Sequence, residues 1–186
     1  MMTLTDWVGV DPTKDNERLL DCLLKAHQAA ARDNYNAIST VIGYIGYVGK
    51  PLTDAIATGL LSIGRHHAPL TQARLAIFGT GLMELQEDLV ANRLIPGWGN
   101  SFFPDQLDPA WVNMATLIED EYPGIHNRLT EITTLIAHHK GKVIYPNAAA
   151  YTAVAAELFE LSYGTEVMLL LLGRLPIWAQ QWDAVR

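Results

Sequence analysis

The sequence contains little cysteine and few basic residues. Cys22 is its one cysteine among 186 residues, so no disulfide forms within the chain, as is usual in a reducing compartment. Cys22 lies on an apolar helical pattern and is expected to be a buried, inert thiol. Lysine and arginine number 13 against 20 acidic residues, which gives a net charge of −7. This charge disfavours binding to nucleic acid phosphates or anionic membranes, so we expect no nucleic acid partner.

The sequence also lacks long hydrophobic runs. Its most apolar run, residues 167–172, is too short to span a bilayer, and Arg174 follows it closely. The first 17 residues carry neither the basic segment nor the apolar stretch of a signal peptide. We therefore expect a cytoplasmic protein with no membrane partner.

Strand patterns are absent as well, because no segment shows convincing apolar–polar alternation bounded by turns. Apolar residues, 49% of the chain, instead recur at helical spacing and suffice for a core. This periodicity predicts an all-α, multi-helical domain over residues 1–186. The apolar stripes lie in residues 19–30, 38–48, 52–63, 70–89, 125–136 and 151–159, and a last helix is expected over roughly 166–182.

Three glycines recur within the second stripe. Gly43, Gly46 and Gly49 are spaced at i, i+3 and i+6, which places them near one helix face. Because a glycine inside a helix costs about 1 kcal/mol relative to alanine, this series predicts close approach of another backbone, within or between chains. A phosphate-binding glycine loop is a weaker interpretation, since no strand precedes the glycines.

Three breaks interrupt the helical pattern. The longest, residues 92–109, carries three prolines and two glycines in 18 residues, and long loops in compact domains are usually functional. The shorter breaks are residues 64–69, with the sequence GRHHAP, and residues 141–147, with the sequence GKVIYPN.

The breaks carry, in order, motifs similar to those of citrate synthases and citryl-CoA lyases. The turn at 64–69 resembles G-x-x-H-G-G, and P-G-W-G-N at 96–100 with D-P-A at 108–110 resembles P-G-[FY]-G-H with D-P-R. Residues 145–151, YPNAAAY, resemble Y-P-N-[VA]-D-F-Y, and a closing G-R-x-x-x-W follows at 173–178. The resemblance covers roughly residues 17–183. It implies a citrate synthase-like domain truncated at the N-terminal side, with a small-domain lobe at approximately 68–145 that holds the 92–109 loop.

The chemistry of that family uses a carboxylate base, a histidine that stabilises an enolate, a second histidine at the attacked carbonyl and arginines that hold carboxylates. The resemblance places the enolate-stabilising histidine at His67 and a carboxylate-binding arginine at Arg174. Asn100 replaces the second histidine, Ala149 replaces the base aspartate, and Ala110 replaces the D-P-R arginine.

Two further family positions have no matching residue type. The arginine that follows P-G-x-G-H falls near Phe103 or Pro104, and the upstream substrate histidine has no match, with Asn34 or Tyr35 nearest.

The resemblance therefore predicts one pocket that His67 and Arg174 face, with residues 98–100 as a flexible rim that offers backbone N–H groups. The predicted catalytic residues are His67 and Asn100, and the predicted substrate-binding residues are His66, Arg174, Trp98, Gly99 and Asn147. Simpler structural roles stay open at this point. Arg174 could pair with Glu157 or Glu166, the turn histidines could satisfy loop carbonyls, and Trp98 could be a core anchor, as could Phe102 and Phe103.

No metal site or tightly bound cofactor is expected. The pairs His66–His67 and His138–His139 are adjacent in sequence, which is unusual for metal ligands, and no H-E-x-x-H motif occurs. His138 and His139 are expected on the solvent side of a helix C-terminus, where the helix dipole favours them. A CoA thioester is expected as substrate rather than as a cofactor.

Two functions follow from the resemblance. The first is a carbon–carbon lyase of citryl-CoA lyase type that acts on a carboxylic acid or its CoA thioester. The second is a noncatalytic relative that binds a small acid or serves as a structural subunit. In either case the resemblance implies a homodimer or larger assembly, because a half-length chain leaves apolar helix faces without partners.

We predict no appreciable citrate synthase activity. Ala149 stands where the base should be, and loss of a positioned base or acid typically costs about 100- to 10,000-fold in rate. The test is release of CoA thiol from acetyl-CoA and oxaloacetate by the pure protein. Robust thiol release would contradict the prediction.

Overall fold

A computed structural model describes residues 13–32, 37–63 and 68–185. Over these ranges the regular secondary structure is helical and no β-strand occurs, which confirms the all-α prediction. None of the helices in these ranges is both long and apolar enough to cross a membrane. The helices are α1 (Lys14–Arg32), α2 (Ala37–Tyr47), α3 (Leu52–Leu61), α4 (Leu70–Arg74), α5 (Leu82–Val90), α6 (Val112–Glu121), α7 (Pro123–Lys140), α8 (Ala148–Leu158) and α9 (Glu166–Asp183).

The main core forms around α1. Its apolar stripe, which includes Leu19, Leu20 and Leu23, is almost completely buried against α6, α8 and α9. At the crossing with α9, a Cβ atom on Gly173 would lie only 2.4 Å from the Cβ of His27. Because glycine has no Cβ atom, position 173 lets α1 and α9 pack closely at their crossing.

A second, smaller core joins α2 and α3 to the C-terminal half of α9. Ile38, Ile42 and Ala55 pack there against the fully buried ring of Trp178. The predicted close backbone approach is confirmed at Gly46, where a Cβ atom would lie 2.4 Å from a carbonyl oxygen of α9. At Gly43 and Gly49 an added Cβ atom would meet nothing within 4 Å in the described part of the chain, so the approach within the chain is limited to Gly46.

The stripe at residues 70–89 forms two helices rather than one. After α4 the chain widens into a π-helix, Leu75–Gly79, and then extends at Thr80 before α5 begins. Arg128 of α7 donates from Nε to the carbonyl of Ile77 at 2.8 Å and from Nη2 to that of Thr80, so it satisfies carbonyls where the helix ends. Gly79 and Gly81, which lie inside the stripe predicted at residues 70–89, flank this break.

Helix α6 has no counterpart among the predicted stripes. Its buried residues Met114, Leu117 and Ile118 form a single short i, i+3, i+4 set. A ten-residue helix with one such set gives little periodic signal, and its position becomes clear only from its packing on α1 and α7.

A buried ion cluster ties α4 to both ends of the segment between α8 and α9. Arg74 is 4% exposed, and its Nε donates to Glu157 at 2.7 Å while its Nη1 donates to Glu166 at 3.2 Å. Glu166 is fully buried, and its second oxygen accepts hydrogen bonds from the Thr71 hydroxyl and the Gly164 backbone N–H. Both buried charges are therefore compensated, and the cluster holds the start of α9 in place.

We predict that Glu166→Gln lowers the free energy of unfolding by about 2–4 kcal/mol, because it leaves the buried guanidinium of Arg74 short of a charge partner. Urea denaturation would measure the change. The matched control is Asp21→Asn, which breaks the exposed 2.7 Å ion pair with Lys25 and should have no measurable effect. Equal effects of the two substitutions would contradict a structural role for the cluster.

Candidate functional site

The central feature of the candidate site is the guanidinium of Arg174. Arg174 lies in the middle of α9 and is 4% exposed, and its Nε and Nη1 make no hydrogen bond to the described residues. Burial lowers the pKa of Arg174 to about 10, and the negative charge of Asp108 partly opposes that shift. Arg174 is therefore still a cation at neutral pH, with donors free to bind an anion.

The structural alternative for Arg174 is wrong. Glu157 and Glu166, the two carboxylates considered as its partners, both bind Arg74 instead. Asp108 influences Arg174 through its charge, but neither Nε nor Nη1 of Arg174 is hydrogen-bonded to it.

His27 of α1 lies beside Arg174 and is fully buried. Its Nε2 is 2.9 Å from the hydroxyl oxygen of Thr152, and that hydroxyl already donates its proton to the carbonyl of Ala148 at 2.7 Å. His27 Nε2 must therefore carry a proton and donate it, which leaves Nδ1 as an acceptor without a partner among the described residues. Burial, followed by the charge of Arg174, holds the pKa of His27 well below its usual range, so its imidazole is neutral.

Two aromatic rings support His27. The rings of His27 and Trp111 make an edge-to-face contact, with ring centroids 4.9 Å apart and an interplanar angle of 88°. Trp111 in turn stacks on Tyr151, with centroids 5.5 Å apart and an interplanar angle of 5°.

The sequence interpretation missed His27 as a site residue. The available signal was a titratable side chain at i+4 from Leu23 and i+7 from Leu20, within an apolar stripe.

Asn100 is linked to the neighbourhood of Arg174 through Asp108. Its Nδ2 donates to Asp108 at 3.1 Å, and its Oδ1 accepts the backbone N–H of Phe102 at 2.9 Å. Asp108 also accepts the backbone N–H of Ala110 at 3.0 Å, which caps the 3-10 turn Pro109–Trp111. The structure thus brings Asn100 and Arg174 together through a carboxylate that was not predicted as a site residue.

The loop at residues 96–100 is fastened to the start of α8 rather than free. The backbone N–H of Asn147 donates to the carbonyl of Gly97 at 2.8 Å, and its side-chain Nδ2 donates to that of Gly99 at 2.7 Å. The N–H of Gly99 donates to the carbonyl of Tyr145 at 2.9 Å, so its prediction as an open donor is wrong. Asn147 also caps α8 by accepting the N–H of Ala149 at 2.9 Å.

The other predicted residues take different positions. Trp98 is half-buried and donates from its ring N–H to Thr133 at 2.9 Å, whereas Phe102 is 56% exposed and is not a core anchor.

The side chains of His138 and His139 are exposed in the last turn of α7, as predicted. Cys22, expected to be buried, is only half-buried. The remaining predicted residues, His66 and His67, lie outside the described residues, as do Asn34 and Tyr35.

Ala149, which the sequence resemblance places at the position of a catalytic base, is 2% exposed at the start of α8 and offers no proton acceptor. Over the described ranges, no three histidine, cysteine or carboxylate side chains are grouped so that they could hold a metal ion.

Comparison of the structure with solved structures gives a consistent result. Citryl-CoA lyase from Hydrogenobacter thermophilus matches with a TM-score of 0.77 at 19% identity, and citrate synthase from Thermotoga maritima MSB8 matches with 0.79 at 20% identity. The chain has the citrate synthase fold. ATP citrate lyase from Methanothrix soehngenii, solved in complex with citrate and coenzyme A, matches with 0.75 at 14% identity. No protein-family model and no curated protein matches the sequence.

The matches cover nearly all of this chain but only part of the larger proteins. The match covers 94% of this chain for citryl-CoA lyase and for citrate synthase, and 96% for ATP citrate lyase. It covers 70% of the citryl-CoA lyase chain, 50% of the citrate synthase chain and 32% of the ATP citrate lyase chain.

We predict a pH dependence that comes from His27. Its imidazole is neutral in the folded protein, whereas in the unfolded chain it takes up a proton below pH ~6.5, so acid favours unfolding. The wild type should lose up to about 1.4 kcal/mol per pH unit below 6.5 through this residue, until the folded pKa is reached.

The measurement is urea unfolding at pH 7.5 and 5.0 for the wild type and His27→Gln, which keeps an N–H donor for Thr152. The other histidines are common to both proteins, so the difference isolates His27. An equal acid sensitivity of the two proteins would contradict a buried neutral imidazole.

Proposed function

We propose that the chain binds a small carboxylic acid, or its CoA thioester, at Arg174 and acts as a carbon–carbon lyase of citryl-CoA lyase type. The observation that carries the proposal is a buried cation with hydrogen-bond donors that no described residue satisfies. A carboxylate matches it in charge and in its two acceptor oxygens. The fold shared with citryl-CoA lyase supports the same reaction class.

Cleavage suits this chain better than condensation does. Condensation needs a base to remove a C–H proton beside the thioester, and Ala149 provides none. In cleavage of citryl-CoA, the substrate hydroxyl passes its proton to Nδ1 of His27 as a carbonyl forms, and the electron pair of the broken carbon–carbon bond becomes the enolate of acetyl-CoA. The imidazolium then returns that proton to the enolate carbon, which gives acetyl-CoA and restores the neutral imidazole.

Three residues contact the substrate in this proposal. Arg174 holds a substrate carboxylate, and the unpartnered Nδ1 of His27 accepts a hydrogen bond from the substrate hydroxyl. His67, by its resemblance to the family histidine, stabilises the enolate oxygen. Asn100 and Asp108 position the loop beside Arg174 rather than contact the reacting atoms.

A second candidate is a noncatalytic relative that binds a small acid or completes a larger assembly. Ala149 and Ala110 favour it, because both replace residues of the family's catalytic set. Incubation of the pure protein with citryl-CoA distinguishes the two. Release of acetyl-CoA and oxaloacetate supports the lyase, and citrate binding without turnover supports the binding protein.

We predict that Arg174→Met weakens citrate binding by about 10- to 100-fold, because hydrogen bonds to a charged group contribute about 1.5–3 kcal/mol. Calorimetric titration would measure the dissociation constant. The melting temperature of the free variant should not fall, since the substitution removes a buried charge that Asp108 compensates only in part.

The matched control is Arg93→Met. Arg93 is an exposed arginine that pairs with Asp88, and its loss should leave citrate binding unchanged. Equal affinities of Arg174→Met and wild type for citrate would refute the assignment of the site.

We also propose that the chain forms a homodimer or larger assembly, and that it works in the cytoplasm, as its single cysteine suggests. Large apolar side chains lie exposed on α2 and α3, among them Tyr44 at 62%, Tyr47 at 74% and Leu61 at 88%. Monomers rarely leave such groups together in solvent. Light scattering should give at least twice the chain mass, and a mass near 20.6 kDa at micromolar concentration would contradict the proposal.

A further inference from the structure

A cavity of about 260 Å³ lies between α6, α7 and the start of α8. The buried side chains of Ile118 and Leu129 line it, and Tyr145 and Pro146 add a ring and a flat apolar surface. Its residues take no part in the contacts of Arg174 described above. A mainly apolar cavity of this size with a few polar groups has the usual composition of a small-molecule site.

Several polar groups of this cavity are hydroxyls with unused hydrogen-bonding capacity, beside the imidazole of His126 and the carboxylate of Glu119. Tyr151 is 3% exposed and lines the cavity, and its hydroxyl makes no hydrogen bond to the described residues. Burial raises the pKa of Tyr151, so this hydroxyl stays protonated and able to donate. Thr133 accepts the ring N–H of Trp98, which leaves its own proton available, and the hydroxyl of Thr134 has no partner in the described chain.

The charges around the cavity disfavour one ligand class. No lysine or arginine lines it, whereas the exposed carboxylate of Glu119 and the imidazole of His126 do. An anion would be repelled by this carboxylate without a lysine or arginine to offset the repulsion. The cavity thus has the opposite preference to Arg174, which suits a carboxylate.

We propose that this cavity is a second binding site, for a small planar molecule without negative charge that carries a hydrogen-bond acceptor such as an amide oxygen or a ring nitrogen. The flat apolar surfaces of Tyr145 and Pro146 contact the ring of the ligand, and the hydroxyls of Tyr151 and Thr134 donate to its acceptor. None of its lining residues contacts the substrate in the proposed lyase function, and its one link to that site is the stack of Tyr151 on Trp111, which Tyr151→Phe keeps.

The test compares benzamide with benzoate, which have the same ring and differ in charge. Titration of the isotope-labelled full chain by NMR should show saturable shifts at residues of α6 and α7 for benzamide. Benzoate should bind there at least about tenfold more weakly, since its charge faces Glu119 in a site that no lysine or arginine lines.

Three variants locate the site. Tyr151→Phe keeps the stack on Trp111 and should weaken benzamide binding about fivefold, as expected for one neutral hydrogen bond. Thr134→Trp should fill the cavity and abolish binding. Thr116→Val, on the exposed side of α6 and outside the cavity lining, should leave benzamide affinity unchanged, as should Arg174→Met.

Benzamide shifts that map elsewhere would overturn the proposal. So would equal affinities for benzamide and benzoate, or affinities that neither Tyr151→Phe nor Thr134→Trp changes.

Discussion

Helices α1 and α9 pack closely where Gly173 lies against His27, and the arrangement of the site depends on this contact. A Cβ atom at position 173 would lie 2.4 Å from that of His27, so any larger residue would push the helices apart. Because Arg174 follows directly, the same contact brings its guanidinium beside the imidazole. The hydrogen bond from His27 to Thr152 then fixes α8 in the same group, so that one crossing sets the relative positions of three helices.

The two buried arginines differ in their partners, which distinguishes a structural charge from a candidate ligand-binding charge. Arg74 and Arg174 are each 4% exposed. Arg74 is compensated by two carboxylates, and its guanidinium also lies 4.3 Å from the ring centroid of Tyr163. Among the described residues, the charge of Asp108 opposes the pKa shift of Arg174, but neither Nε nor Nη1 of Arg174 has a hydrogen-bond partner. Since the cost of desolvating a guanidinium is similar at both positions, the less compensated arginine is the better candidate for a ligand contact.

The proline- and glycine-rich loop shows that such composition does not mean mobility. Gly97 and Gly99 have backbone φ values of +94° and +93°, which residues with a side chain rarely adopt. These two turns let the loop run against the start of α8. Hydrogen bonds to Tyr145 and Asn147 hold it there. The loop thereby becomes a rigid element that sets the positions of Asn100 and Asp108.

The sequence by itself determined the features that depend on near neighbours in the chain. Helical spacing placed α9 to within a residue or two, proline and glycine marked the 92–109 loop, and the order of motifs pointed to the citrate synthase fold. Local patterns did not predict the break between α4 and α5, which depends on packing. Its carbonyl groups accept hydrogen bonds from Arg128, 48 to 51 positions away in the sequence.

Only the tertiary structure decided which charged and polar groups meet. Glu157 and Glu166 pair with Arg74, 83 and 92 positions away, rather than with Arg174, to which both are much closer in sequence. His27 joins the site through Thr152, 125 positions away. The reason is physical: helix periodicity and turn chemistry act over a few residues, whereas ion pairs and buried hydrogen bonds depend on distances in space that the packing of the whole chain sets.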